Sequence, residues 1–134
     1  LSENGLDCRI VPASDPIGEG TYNAAEFTPA LIKDGEKIED SFWTGEQPRA
    51  CFGTGDQGVY MLIIEGRYPD EGIRGTSVNT CSDILLAYGC RNALNMDGGS
   101  SAILWYDGEY VTQSSSSFLR YTGGRPLPNA WVYG

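Results

Sequence analysis

The stretch VYMLIIEGRYPDEGIRGTSVNTCSDILLAYGCRNALNMDGGSS, Val59 to Ser101, decides the fold. Its opening run, Val59–Ile64, is continuously apolar, the pattern of a central strand buried on both faces. A polar loop, Glu65–Gly75, follows. From Ser77 to Tyr88 the apolar positions Val78, Cys81, Ile84, Leu85 and Tyr88 fall on one face of a helix. Thr76 or Ser77 can cap its start, and Gly89 ends it. Asn92–Met96 reads as a short strand and Asp97–Ser101 as a turn. A crossover helix joins parallel strands, so the spacing predicts a β-α-β unit. Parallel strands end at one edge of a sheet, where open α/β sheets place ligands. Glu65 immediately follows the first strand and Asp97 the second, so both carboxylates should project from that edge. If the strands are neighbours their backbones lie roughly 5 Å apart. Their carboxyl groups then fall roughly 5–10 Å apart, the separation of carboxylate pairs that cleave glycosidic bonds.

Hairpins flank this unit. Ala30–Lys33, Asp34-Gly35 and Glu36–Ile38 form one with a primed turn. Arg49–Gly53 leads through Thr54–Gly58 into Val59–Ile64. Ala102–Tyr106, Asp107-Gly108 and Glu109–Gln113 form another Asp-Gly hairpin. Residues 1–20 carry little structure, Glu39–Pro48 is irregular, and the four serines Ser114–Ser117 sit in a loop reaching Pro128. Asn129–Tyr133 reads as a closing strand. There is no repeat and no linker. The expectation is a single α+β domain over residues 1–134, with a mixed β-sheet containing a β-α-β unit and several hairpins.

Composition narrows the function. The formal net charge is −9, which disfavours nucleic acid and anionic membranes as partners. No apolar run approaches a membrane span and no signal peptide is visible, although a chain that starts at Leu1 can have lost one. There is no histidine, which excludes Ser-His-Asp and Cys-His units and HExxH metal sites from these residues. Four cysteines, Cys8, Cys51, Cys81 and Cys90, form no CxxC pair, so no metal is expected. Two disulfides would be permitted in any of three pairings, with Cys81 also readable as a buried helix residue. No cofactor is expected.

In isolation, an Asp before two glycines is a turn. Its company here says more. Gly98 and Gly99 let backbone approach a ligand, and the amides that follow, with Ser100 and Ser101, offer neutral donors to an anion or a sugar. Arg67 lies close to Glu65, Arg49 begins the adjacent strand, and Arg125 sits in TGGRP. An acidic chain that binds an anionic substrate needs such local positive charge. No Gly-Lys-Ser/Thr is present, so phosphate binding would not be of the Walker type.

Taken in order, these residues resemble the phosphodiester glycosidase family, the family of the uncovering enzyme that removes N-acetylglucosamine from a phosphodiester on mannose. The resemblance runs through Thr28–Ile38 (TPALIKDGEKI), Pro48-Arg49, Glu65-Gly66-Arg67, Gly75, Tyr88-Gly89, and Asn92–Ser101 (NALNMDGGSS). It ends with Gly123–Arg125 and Pro128–Ala130, covering about residues 27–133. Glu65 stands where the family usually has Asp, and Gly124 where it usually has Glu. The family's early Asn-Gly-Gly-Phe-Phe-type segment has only a poor counterpart in Tyr22–Ala25. The resemblance therefore implies a domain without the family's N-terminal part, which another chain or a separate segment would complete. It implies a bacterial or phage protein that hydrolyses a sugar-1-phosphodiester in a phosphorylated glycan such as an exopolysaccharide. Asp97 and Glu65 would be the catalytic carboxylates. Arg49, Arg67, Arg125, Gly98, Gly99 and Ser100 would bind substrate. The alternative is a non-catalytic glycan-binding or structural module of a phage or cell-surface assembly. The expected location is extracellular, at the cell surface or on a phage particle.

Overall fold

The computed structural model describes residues 8–38, 44–116 and 124–132. Gly123, Ser117, Tyr133 and the stretch 39–43 lie outside the described residues. The chain forms β1 (Ala30–Lys33), β2 (Glu36–Lys37), β3 (Arg49–Gly55), β4 (Gly58–Ile64), α1 (Val78–Ala87), β5 (Cys90–Asn95), β6 (Trp105–Tyr106) and β7 (Glu109–Tyr110). Five strands make one sheet in the order β2-β1-β5-β3-β4, and β6 and β7 make a separate ribbon. The result is a sheet-rich α+β domain with one α-helix among the described residues.

Local chemistry accounts for the turns. Asp34 and Gly35 have φ of 53° and 86°, and Asp107 and Gly108 have 48° and 88°. Positive φ at both central residues is the primed turn that matches strand twist. Ser77 caps α1 by accepting the Thr80 N–H at 3.1 Å, and Gly89, with φ 84°, follows its last turn. The buried helix face is Val78, Cys81, Ser82 and Leu85. Tyr88, expected on that face, is instead the C-terminal cap and 70% exposed. Its carbonyl accepts the Tyr60 hydroxyl at 2.9 Å, which ties the helix end to β4.

Two further expectations are corrected. The apolar run of β4 is an edge strand, half-buried along its whole length; the central strands are β5 and β3. Its apolarity has a different cause, since both its faces are partly covered. Tyr60, Leu62 and Ile64 pack on the core formed by Leu31, Ile32, Cys51, Val78, Cys81 and Leu85. On the opposite face, alternation puts Met61 beside Phe52, whose ring stacks on Trp131 with centroids 4.2 Å apart. Residues 129–132, read as a strand, carry no ladder, and Trp131 acts by this stacking instead.

The second correction concerns neighbours. β4 and β5 each pair antiparallel with β3, which lies between them. They therefore run in the same direction, joined through α1, but they are not adjacent. Their carboxyl ends flank the start of β3, roughly 10 Å apart by two strand spacings.

All four cysteines are free thiols, three of them buried. A hydrogen bond to Cys81, with burial, pushes the Cys51 thiol well above its ordinary range. Burial raises Cys90 to about 11.

Candidate active site

The start of β3 is the floor of the site. Pro48 and Arg49 are buried there, with Arg49 opposite Ile64 at the end of β4. Three glycines close around the backbone just before β3. A Cβ on Gly66 would lie 2.9 Å from Pro48 N, one on Gly75 2.4 Å from Gln47 C, and one on Gly98 2.6 Å from Pro48 O. No side chain fits at those distances, so the loops after β4 and β5 can meet over Gln47 and Pro48 only as glycines. Backbone hydrogen bonds complete the clamp: Gln47 and Thr76 exchange N–H to O bonds of 3.1 and 3.0 Å, and Gly99 N–H donates to Pro48 O at 3.0 Å.

Above this clamp is a cleft of about 410 Å³ lined by Gln47, Pro48, Arg49, Arg67, Arg125 and the run Asp97–Ser100. Seven of the eight residues singled out in the sequence thus line one cleft. Glu65 does not. Its Oε1 accepts the Gln113 N–H at 2.5 Å and so holds the loop that follows β7. The cleft falls within the size range of small-molecule sites.

The three arginines differ in what they are free to do. Arg49 is 6% exposed, and its guanidinium donates to Thr76 O at 3.0 Å and Gly45 O at 2.8 Å. Burial lowers its pKa below the ordinary arginine value, but a guanidinium remains a cation at neutral pH. It supplies positive charge beneath the cleft and ties the flanking loops together. Arg67 is exposed and adopts a left-handed backbone, φ 69°. A non-glycine residue holds that conformation at a cost of about 1 kcal/mol, and such strain gathers at functional positions. Its Nε donates to Gln47 Oε1 at 2.9 Å. Its terminal nitrogens lie 3.1 Å from where a Cβ on Gly99 would be, so that glycine makes room for the guanidinium. Arg125 reaches Asp97 Oδ2 at 3.1 Å and Ser101 Oγ through Nε at 3.1 Å.

Gln47 is a residue of the candidate site that the sequence did not single out; it belongs to no recognisable motif and acts by orienting Arg67. Ser101, read in the sequence as a neutral donor beside Ser100, instead accepts from the Arg125 guanidinium and orients it. Gly124 has a packing reason. With φ 89°, a Cβ there would fall 2.7 Å from Ile103 Cδ1 and 2.9 Å from Ser114 Oγ, so a carboxylate side chain does not fit.

A sequence profile of the phosphodiester glycosidase family matches residues 4–133. The chain belongs to the phosphodiester glycosidase family. The family match begins well ahead of Phe27, where its recognisable motifs start. Among relatives of this phosphodiester glycosidase domain is the SPbeta prophage-derived uncharacterized protein YomE of Bacillus subtilis (strain 168), 27% identical over 118 residues. That alignment covers 84% of this chain and 18% of YomE. A crystal structure of a hypothetical protein from Synechocystis superposes with a TM-score of 0.54 at 27% identity, over 66% of this chain and 18% of that one. The domain thus spans about a fifth of each of these relatives. Among the described residues, no helix is long and apolar enough to cross a membrane.

Proposed function

We propose that the cleft hydrolyses a sugar-1-phosphodiester, breaking the C1–O bond with the phosphate monoester as leaving group. The observation that carries this reading is the meeting of one carboxylate, Asp97, with Arg67 and Arg125 in a single cleft, with Arg49 beneath. A phosphate leaves more readily than an alkoxide, so protonation of the leaving oxygen matters less than in ordinary glycosidases. The two demands are to stabilise positive charge at C1 and to neutralise the phosphate. Asp97 meets the first as electrostatic stabiliser and as the base that takes a proton from the attacking water. Arg67 and Arg125 meet the second, assisted by the Ser100 donors, while the Gly99 N–H is held by the Pro48 carbonyl. The water oxygen bonds to C1, and the C1–O pair passes to the phosphate. Glu65 contributes by holding the 113–114 loop against this edge.

The test is Asp97→Asn on a sugar-1-phosphodiester. Loss of turnover by two orders of magnitude or more with an unchanged unfolding midpoint is expected; full turnover by a folded variant would sink the assignment.

A second reading, a glycan-binding module that does not cleave, draws on one observation. Asp97 is the single carboxylate among the residues that line the cleft. Binding of a phosphorylated glycan by the wild type without product release would favour it. Action outside the cell, on a cell surface or on a phage particle, belongs to either proposal.

A further inference from the structure

The ribbon β6–β7 leads directly out of the cleft's Gly98–Ser101 turn, and its large side chains face solvent. Trp105 is 60% exposed, Tyr106 74% and Tyr110 54%. Pairing sets Trp105 opposite Tyr110 on one face of the ribbon, and Tyr106 opposite Glu109 on the other. Its Asp107-Gly108 turn is the primed type, so this is a closed hairpin that displays its aromatic rings. Clustered exposure of that kind marks a contact surface.

The base of the hairpin is fixed to the catalytic edge. Glu65 holds the Gln113 N–H, and the Tyr68 hydroxyl donates to Ser114 O at 2.7 Å. Gly124 packs against Ile103 and Ser114, and its neighbour Arg125 reaches Asp97. The aromatic face and the phosphate-binding arginine are thus held by one set of contacts.

Charge divides the surface between them. Residues 102–116 include Asp107 and Glu109 and no Lys or Arg. The cleft, in contrast, presents Arg67 and Arg125. An anionic group is drawn to the cleft and repelled by the hairpin. What fits the hairpin is an uncharged, hydroxyl-rich ring. Its C–H face stacks on Trp105 or Tyr110, and its hydroxyls donate to the nearby carboxylates. We propose that Trp105 and Tyr110 form a subsite for the neutral sugar units that flank the phosphodiester. This rests on the reading of the cleft as a phosphodiester site and assigns the charged part of the substrate to the cleft and the neutral part to the hairpin.

The experiment compares two substrates with the same sugar-1-phosphodiester, one carrying a methyl group on the far side of the phosphate and one carrying mannotetraose. Wild type should show a KM about three- to tenfold lower for the tetrasaccharide, the range that one aromatic stack supplies. In Trp105→Ala and Tyr110→Ala that ratio should fall towards one. A wild-type ratio of one, or a ratio that survives in both variants, overturns the subsite. Titration of the wild type with free mannotetraose, followed by NMR at the Trp105 indole N–H, judges the hairpin without turnover. If neither substrate is cleaved, the reading of the cleft fails, while a shift at Trp105 still supports the subsite and no shift rejects it. A dimer in solution that Trp105→Ala dissolves would overturn the subsite in favour of a second copy of this chain.

Discussion

One guanidinium, that of Arg125, holds both the carboxylate of Asp97 and the hydroxyl of Ser101 across the loop that follows β5. The Arg125–Asp97 pair is more than half exposed on both sides. Such a pair adds at most about 1 kcal/mol to stability, so its value is positional. Ser101, in contrast, is 9% exposed and fixes where the guanidinium can go. Orientation is the property that catalysis in this cleft would draw upon.

Ser101→Ala should therefore weaken catalysis without unfolding the protein. The expected loss in kcat/KM on a sugar-1-phosphodiester is about tenfold, the result of a misplaced cation. The unfolding midpoint should shift little, since one neutral partner of a charged group is lost. Steady-state kinetics beside thermal melting decides the matter. An unaltered kcat/KM would show that Arg125 needs no anchor.

Arg49 should behave differently from Arg125. Its replacement by Ala removes two charge-assisted hydrogen bonds that join the Gly45 and Thr76 segments, although the Thr76 carbonyl keeps its bond from the Gln47 N–H. A loss of roughly 2–3 kcal/mol in urea unfolding is expected. A variant that unfolds like the wild type yet no longer binds substrate would instead make Arg49 a direct ligand.

Gly98→Ala tests the clamp. Its Cβ would sit 2.6 Å from the Pro48 carbonyl, which is also the acceptor for Gly99 N–H. The turn must move, at a cost of about 1–3 kcal/mol, and Asp97 moves with it. Reduced activity together with a lowered midpoint is the expected pair of results. Retention of both would mean that the loop relaxes freely.

Alkaline stability should depend on Cys90. Burial raises its thiol from an ordinary value of 9.0 to about 11. The folded state therefore keeps a proton that the unfolded chain gives up first. The stabilisation is fully present below about pH 9 and is lost as pH rises through about 11, to a total of roughly 2 kcal/mol. Denaturant midpoints measured across that window should fall less steeply in Cys90→Ala than in the wild type. Parallel slopes would remove Cys90 from the account.

The sequence by itself determined what a few consecutive residues can decide. Asp34-Gly35 and Asp107-Gly108 specify primed turns because their backbones tolerate positive φ. Ser77 and Gly89 bound α1 because capping is local. Asp97-Gly98-Gly99 declared a place where backbone approaches closely, and the ordered motifs carried the family. Tertiary structure alone decided the rest. β4 reads as central but lies at the edge, because strand order follows from long-range pairing, to which an apolar run is indifferent. β3 separates β4 from β5, so Glu65 and Asp97 share an edge without sharing a cleft wall. Three arginines of equal charge became a buried tie, a strained partner of Gln47 and an exposed partner of Asp97, because a side chain's task is set by neighbours that lie far away in sequence.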